Sequence, residues 1–230
     1  MRTCLLPVLL SLAACTGTTD DTGSGDSSGD NGGDNGGNGD GCGAYSAGVG
    51  SVLTYGYINM GATTGSYVVT FTSFDATTGD AVFTSTSSMA SSGYTASSVT
   101  VQNLSCESDG IYAVSMTTDS EIVSGGTPFS DSTVSSYDPP MLLVPSSLAA
   151  GSTWEMTSTL TTVGEMSGTG TTTISQTATA GASESVTVPA GTYDTLPVTY
   201  QPTSGAASHS WLATGVGAIK TDYSELITAQ

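Results

Sequence analysis

The strongest constraint on the fold is a two-residue alternation of apolar and hydroxyl side chains that begins after residue 44. It is clearest in residues 67–72 (YVVTFT), 81–84 (AVFT) and 185–188 (SVTV). Successive side chains of a β-strand point to opposite faces, so this period is typical of strands with one buried face. The alternation predicts an all-β domain over residues 44–230, with extended antiparallel sheets arranged as a curved half-barrel or a sandwich.

Turn signals separate these runs at 63–66, 76–80, 108–110 and 189–191. The clearest one is Val188-Pro189-Ala190-Gly191-Thr192, where proline presets the turn and glycine accepts a left-handed conformation. We expect a tight hairpin there, and only residues 145–150 suggest a short helical turn. Residues 50–55 and 151–156 begin alike, which is consistent with a duplication into halves 44–138 and 139–230. Thr-rich composition alone explains that likeness equally well.

The N-terminus has the features of a secretory signal peptide over residues 1–14. Arg2 is followed by an apolar stretch that is too short to span a bilayer, which needs about 20 residues. Leu12-Ala13-Ala14-Cys15 resembles the lipobox of bacterial lipoproteins. The resemblance implies cleavage before Cys15, a diacylglyceryl group on its thiol and an acyl chain such as palmitate on its new amino group. An ordinary secretory signal with a chance cysteine is the alternative.

Several acyl chains would anchor the protein stably in a membrane. By resemblance to lipoprotein sorting in diderm bacteria, Thr16 after the cysteine implies the outer membrane, with the periplasmic or surface face left open. Residues 16–43 contain no large apolar side chain, so we expect 15–43 to be a lipidated, disordered acidic tether. A Gly-rich coil of this length reaches roughly 30 Å.

The charge balance excludes some classes of partner. The chain has 2 basic and 20 acidic side chains and a net charge of −18, and Lys220 is the only basic residue after the signal. Nucleic-acid binding needs clustered Lys and Arg, so it is excluded. Docking on anionic lipid headgroups is disfavoured by the same charge, so we expect membrane association through the lipid anchor alone. A protein, polysaccharide or lipid partner remains open.

Two cysteines remain once Cys4 leaves with the signal and Cys15 is acylated. In an exported, oxidising compartment, a Cys42–Cys106 disulfide is the simplest pairing, and two free thiols are the alternative. We expect no metal site, because the chain has no Cys-x-x-Cys pair and its only histidine is distant in sequence. No cofactor is expected either.

Two further motifs lie in the second half: Val186-Thr187-Val188-Pro189-Ala190-Gly191-Thr192-Tyr193 and Trp211-Leu212-Ala213-Thr214-Gly215-Val216-Gly217-Ala218-Ile219-Lys220. This pair resembles V-x-V-P-A-G-T-[FY] and W-[FYL]-A-x-G-V-G-x-[IV]-K in uncharacterised bacterial lipoproteins of extended antiparallel β architecture. The resemblance covers about 70 residues. It implies a tight hairpin and a glycine-kinked strand return, and Lys220 matches the closing lysine without an implied role.

Catalysis is not expected. His209 is flanked by Ser208 and Ser210, which on a strand point to the opposite face from the imidazole. The Gly-x-Ser-x-Gly match at residues 25–29 lies in the expected tether and follows no predicted strand. A distant serine with Asp194 or Asp222 is the only route to a triad, so a hydrolase using His209 is a remote alternative. A glycosidase pair is open among the carboxylates of the second half, although scattered carboxylates are expected in so acidic a chain: Glu155, Glu165, Glu184 and Asp194.

The sequence therefore favours a lipid-anchored cell-envelope protein that acts as a non-catalytic binding or structural module. The alternative is a carrier that holds a hydrophobic ligand against a curved sheet. Eight side chains could line such a sheet, although the same pattern is typical of an ordinary core: Tyr55, Tyr57, Tyr67, Phe71, Phe83, Trp154, Met156 and Trp211.

Overall fold

The computed structural model describes Cys42 and residues 44–45, 48–61 and 63–230. Within these residues the chain forms β-strands joined by turns, with no helix, so the all-β prediction is confirmed. The predictions for the signal peptide, for Cys15 and for most of the tether lie outside the described residues. The strands are β1 (Val52–Tyr57), β2 (Thr64–Asp75), β3 (Asp80–Ser91), β4 (Tyr94–Glu107), β5 (Gly110–Ser124), β6 (Thr127–Pro145), β7 (Thr153–Gly164), β8 (Gly168–Ala180), β9 (Glu184–Val188), β10 (Gly191–Pro202), β11 (Ser208–Ala213), β12 (Gly217–Thr221) and β13 (Ser224–Ala229).

A single antiparallel sheet contains all of these strands and closes on itself. Consecutive strands pair from β1 to β8, β8 pairs with β10, and β10 to β13 lead back to β1. Strand β10 makes the closure possible because one edge pairs with β8 and β9 while the other edge pairs with β11. The sheet is therefore a closed barrel of twelve strands with β9 as an extra strand. The sequence had left a curved half-barrel and a sandwich open.

The interior follows from the two-residue period. Leu53, Phe71, Met141, Met156 and Leu212 are fully buried on the inner face and form part of one continuous apolar core. Farther along the strands the inner side chains change to hydroxyls. Their short cross-strand hydrogen bonds satisfy one another: Thr100 to Thr118 at 3.0 Å, Ser87 to Ser98 at 2.8 Å and Ser135 to Thr162 at 2.9 Å. One part of the interior is therefore apolar and another is lined by Ser and Thr.

The hairpin motif folds as the sequence predicts. Val188 pairs with Gly191 across the two-residue loop Pro189–Ala190, and Gly191 has a φ of +144°. The second motif forms β11, a turn at 214–216 and β12, with Gly217 at a φ of +83°. Because β10 pairs with β11, the two motifs lie side by side at the closure of the sheet.

Two local expectations are corrected by strand pairing. The turn expected at 63–66 lies a few residues earlier, between the end of β1 at Tyr57 and the start of β2 at Thr64, because Gly65 and Ser66 already pair with Met89 and Ser88 in the β2–β3 ladder. Where a short helical turn was expected, residues 145–150 contain a single hydrogen-bonded turn, in which the Leu148 N–H donates to the Pro145 carbonyl. The turns at 76–79 and 108–109 are as expected.

Strands β6 and β7 separate part of the way along their length. Their ladder runs from Thr133–Gly164 to Asp138–Thr159 and stops at Pro139 and Pro140, which have no N–H to donate. Beyond that point, among the described residues, 139–145 pair only with β5 and 153–158 only with β8. We call this unpaired stretch the β6–β7 seam. Strand β6 runs through the junction of the two suggested halves, and the duplication stays a hypothesis.

The structure joins Cys42 to Cys106 by a disulfide, with a Cα–Cα distance of 5.2 Å across a sequence separation of 64. Cys106 lies in β4, and its N–H donates to the Gly79 carbonyl in the β2–β3 turn. The bond therefore ties the chain that precedes β1 to a hydrogen-bonded part of the sheet.

We expect the double variant Cys42→Ser, Cys106→Ser to lower the free energy of unfolding by about 4 kcal/mol, because a loop of this size no longer restricts the unfolded chain. Urea denaturation of the variant and of the oxidised wild type measures the difference. Equal midpoints for oxidised and reduced wild type would show that the bond does not form.

Candidate functional site

Three polar side chains lie close together on the inner face of β7, β8 and β10. The ladder places Trp154 opposite Ala178, and Ala178 opposite Tyr200, so the two large aromatic side chains stand on either side of one methyl group. Gln176 lies two residues before Ala178 on the same face and pairs with Met156. We call Trp154, Gln176 and Tyr200 the donor cluster.

Two polar groups of the donor cluster have no hydrogen-bond partner. Trp154 is 8% exposed, Tyr200 is 5% exposed and Ala178 is completely buried. Among the described residues, neither the Trp154 Nε1–H nor the Tyr200 hydroxyl has a hydrogen-bond partner. Gln176 Nε2 donates to the Met156 Sδ at 3.4 Å, and a thioether is a weak acceptor. A buried donor without a partner costs about 1–3 kcal/mol, so the cluster calls for an acceptor from outside the described residues.

The opposite wall of the interior shows the usual solution. The Tyr55 hydroxyl donates to the Ala218 carbonyl at 2.8 Å, and the Tyr67 hydroxyl shares a hydrogen bond of 2.9 Å with the Ser224 hydroxyl. Burial raises the pKa of Tyr55, Tyr67 and Tyr200 well above that of a free tyrosine, so all three are neutral near pH 7. The hydroxyls of Tyr55 and Tyr67 therefore have hydrogen-bond partners, whereas the donors of Trp154 and Tyr200 on the opposite wall have none among the described residues.

A third unpartnered group lies beside the seam. Tyr137 is 4% exposed, stands opposite Leu160 on the inner face and has no hydrogen-bond partner for its hydroxyl among the described residues. Burial raises its pKa as well. Leu160 is six residues beyond Trp154 on β7 and four beyond Met156, the partner of Gln176, so at about 3.3 Å per residue Tyr137 lies about 13 to 20 Å along the strands from the donor cluster. It therefore belongs to a different part of the interior.

The donor cluster has no cation beside it. Lys220 is the only lysine or arginine of the described residues, and it pairs with Trp211 on the outer face, where its Nζ lies 5.6 Å from the indole centroid. The interior therefore offers hydrogen-bond donors without a positive charge.

The predicted histidine site is on the outer surface. His209 Nδ1 lies 3.1 Å from Asp222 Oδ1, and the His209 backbone N–H donates to Asp222 Oδ2 at 2.9 Å. Of the two carboxylates that the sequence allowed, the fold thus brings Asp222 to the ring. Ser210 is buried on the other face, as expected, and no serine or threonine hydroxyl among the described residues hydrogen-bonds the imidazole. The geometry forms a His–Asp pair without a nucleophile.

The four carboxylates considered for a glycosidase have separate roles. Glu155 accepts a hydrogen bond from Thr177, and Glu184 accepts one from the Trp211 Nε1–H at 2.6 Å. On the β9–β10 hairpin Glu184 is opposite Thr195 whereas Asp194 is opposite Ser185, so these two side chains point to opposite faces. The register therefore forms no acid–base pair from them.

Glu165 borders a cavity of about 470 Å³ that is lined by residues of β3 to β6. Hydroxyls and further carboxylates line this cavity, including Asp119, Glu121 and Asp131. Asp131 accepts a hydrogen bond from the Met166 backbone N–H at 3.0 Å, and such bonds hold its pKa below the usual value. Its carboxylate therefore stabilises the β7–β8 turn. Within the described residues no group of three or more His, Cys, Asp or Glu side chains is placed to hold a metal ion.

No protein-family model, curated protein or solved structure matches this chain. Among the described residues, no helix has the length and the apolar character that crossing a membrane requires.

The sequence identified part of this interior. Seven of the eight side chains suggested for a concave face point inward, whereas Trp211 points outward. Gln176 and Tyr200 were missed. Their only signal is the alternation itself, which puts Gln176 in phase with Ala178 and Tyr200 in phase with Val198.

Two matched variants test whether the Tyr200 hydroxyl lacks a partner. In protein that has been unfolded, stripped of any ligand and refolded, we expect Tyr200→Phe to leave the free energy of unfolding unchanged or to raise it by up to about 2 kcal/mol. The control Tyr55→Phe should lower it by about 1 kcal/mol, because it removes the bond to the Ala218 carbonyl. Equal destabilisation of both variants in urea denaturation would contradict the assignment.

The buried tyrosines also predict a loss of stability at high pH. A raised folded-state pKa favours the neutral hydroxyl in the folded protein, so this stabilisation is complete below the unfolded pKa of about 10 and is lost as pH rises above it. Tyr55, Tyr67 and Tyr200 together should lower the free energy of unfolding by about 4 kcal/mol per pH unit in that range. Urea midpoints measured between about pH 9 and pH 12 test this, and a flat profile would contradict it.

Proposed function

We propose that this protein is a lipid-anchored cell-envelope protein that acts as a non-catalytic binding module and carries a small, largely apolar molecule inside its closed sheet. The observation that carries the proposal is the donor cluster of Trp154, Gln176 and Tyr200. Trp154 and Tyr200 are buried in an apolar interior and their donors have no partner among the described residues, while the partly buried Gln176 amide donates only to a thioether. Small-molecule sites typically combine an apolar lining with a few polar groups that orient the ligand.

The surroundings of the cluster support a ligand rather than a purely structural role. Met156, Ala178 and Val198 are fully buried beside it, so an apolar ligand bound there would contact apolar side chains. The sequence favoured a binding or structural module and kept ligand carriage as the alternative. The unpartnered donors make carriage the better explanation, because a purely structural core has no reason to retain them.

The proposed location rests on the N-terminal sequence. The lipobox resemblance at Cys15 and the Thr16 that follows favour the outer membrane, and a tether over 16–43 would let the domain reach roughly 30 Å from it. Anchoring by lipid keeps the domain next to a source of apolar molecules. The membrane is then the partner through the anchor, and the charge of −18 excludes nucleic acid.

A hydrolase that uses His209 is the remote alternative. The contact of His209 Nδ1 with Asp222 is the one observation in its favour, because it resembles the base and orienting carboxylate of a triad. A substrate would then bind on the outer face, far from the donor cluster. Hydrolysis that is abolished in His209→Ala would favour this alternative.

Intact-mass analysis tests the carrier proposal. The mature chain from residue 16 is exported behind a signal without a lipobox, and its native and denatured masses are compared. We expect a discrete extra mass that is released on denaturation, because the interior donors have a ligand in the cell. Trp211→Phe, on the outer face, serves as the control and should keep that mass.

The native and denatured masses would agree if the domain were a structural module without cargo. A mass that is lost in Trp211→Phe but kept in variants of the donor cluster would place the ligand on the outer face. Either result would contradict carriage inside the sheet.

A further inference from the structure

The chemistry of the donor cluster specifies what its ligand must offer. The Trp154 indole can only donate, the Gln176 amide has two N–H groups and one carbonyl oxygen, and the neutral Tyr200 hydroxyl can donate or accept. All three residues lie around Ala178 on the inner face of the sheet, and the unpartnered Trp154 N–H can be satisfied only by an acceptor. The complementary group is therefore a hydrogen-bond acceptor.

We infer that the ligand is an uncharged molecule whose apolar body bears a carbonyl-type acceptor, as in an ester or a ketone, and that Trp154, Gln176 and Tyr200 bind that acceptor. This inference rests on the proposed carrier function. It adds the chemical class of the ligand and the residues that select it.

An anionic ligand fits this interior poorly. A buried carboxylate or phosphate needs a cation or a dense set of donors to offset its desolvation. Lys220, the only basic residue among those described, lies over Trp211 on the outer face. The neutral ester or ketone has no such requirement.

A pure hydrocarbon fits poorly for the opposite reason. It would leave the Trp154 Nε1–H and the Tyr200 hydroxyl without partners, as they are in the protein alone. Water is the other acceptor to consider, since a buried water binds where two to four polar partners converge. Ala178 and Met156 are completely buried next to these donors, which makes the surroundings apolar.

The β6–β7 seam offers a ligand a route to the donor cluster. Trp154 and Met156 lie in residues 153–158 of β7, the stretch that has no ladder with β6 among the described residues. Separation of β6 from β7 here breaks no ladder hydrogen bond, although the Ser158 hydroxyl donates to the Pro139 carbonyl across the seam at 2.7 Å. A ligand with an apolar chain can therefore approach the donor cluster from the side when this one side-chain bond opens.

Fluorescence quenching gives a direct test, because the chain has two tryptophans and Trp211→Phe leaves Trp154 as the only one. The probes are three brominated molecules with the same carbon chain: methyl dibromostearate, the dibromostearate anion and dibromooctadecane. Bromine quenches indole fluorescence on contact. We expect the ester to bind at least tenfold more tightly than the anion and the hydrocarbon.

Removing one donor should then weaken the binding of the ester and leave the binding of the hydrocarbon unchanged. In the Trp211→Phe background, Tyr200→Phe should weaken ester binding about tenfold, the loss expected for one hydrogen bond, and should leave hydrocarbon binding unchanged. Tyr55→Phe is the matched control, because its hydroxyl bonds Ala218 and lies outside the cluster. Gln176→Met is the second variant, with the same expected pattern, and serves if Tyr200→Phe does not fold.

The outcomes separate the inference from the proposed function. Equal binding of the three probes, with no effect of Tyr200→Phe or Gln176→Met, would overturn the inference and leave a carrier of apolar molecules. Tightest binding of the anion would overturn the neutral class. Absence of quenching by every probe in folded protein would remove the carrier function and the inference with it.

Discussion

Six residue pairs between β10 and β11 close the sheet, and the burial of the interior depends on them. Without these pairs, both strands would present free edges and the apolar inner face would meet water. The segment that closes the sheet contains the two sequence motifs, at residues 186–193 and 211–220. Strand β10 is the critical element because β8, β9 and β11 all hydrogen-bond to it.

Strand pairing accounts for part of the difference between the two walls. The ladders of β7 with β8 and of β8 with β10 are continuous beside Trp154 and Tyr200, whereas the other edge of β7 faces the unpaired β6–β7 seam. Strands β12 and β13 pair only at Lys220–Glu225, and this irregular region leaves the Ala218 carbonyl available to Tyr55. The proposed ligand would supply the acceptor that neither Trp154 nor Tyr200 finds among the described residues.

The outer and inner faces of β10 to β12 carry different kinds of polar side chain. The outer face holds the paired charges, with His209 against Asp222 and Trp211 between Glu184 and Lys220. The inner face holds neutral donors in apolar surroundings. A charged partner would therefore meet the outer face, and a neutral apolar one the interior, which is why the proposed function places carriage inside.

Sequence reasoning reached the local features and missed the non-local ones. Alternation and turn chemistry predicted the strands, the hairpin at 188–192 and the Cys42–Cys106 pair. The closure was not predictable, because pairing of β10 with β11 depends on the curvature accumulated over the preceding strands. The state of Tyr200 was hidden for a related reason: whether a buried hydroxyl finds an acceptor depends on ladders formed by distant segments. The register likewise brought Asp222 rather than Asp194 to His209.

A crystal structure of the protein purified without unfolding, at a resolution that shows ordered water, would test the central claim most directly. The account predicts continuous non-protein density beside Ala178, with an acceptor atom about 3 Å from the Trp154 Nε1 or the Tyr200 hydroxyl. Isolated water peaks at those two atoms, or a protein acceptor supplied to both, would contradict it.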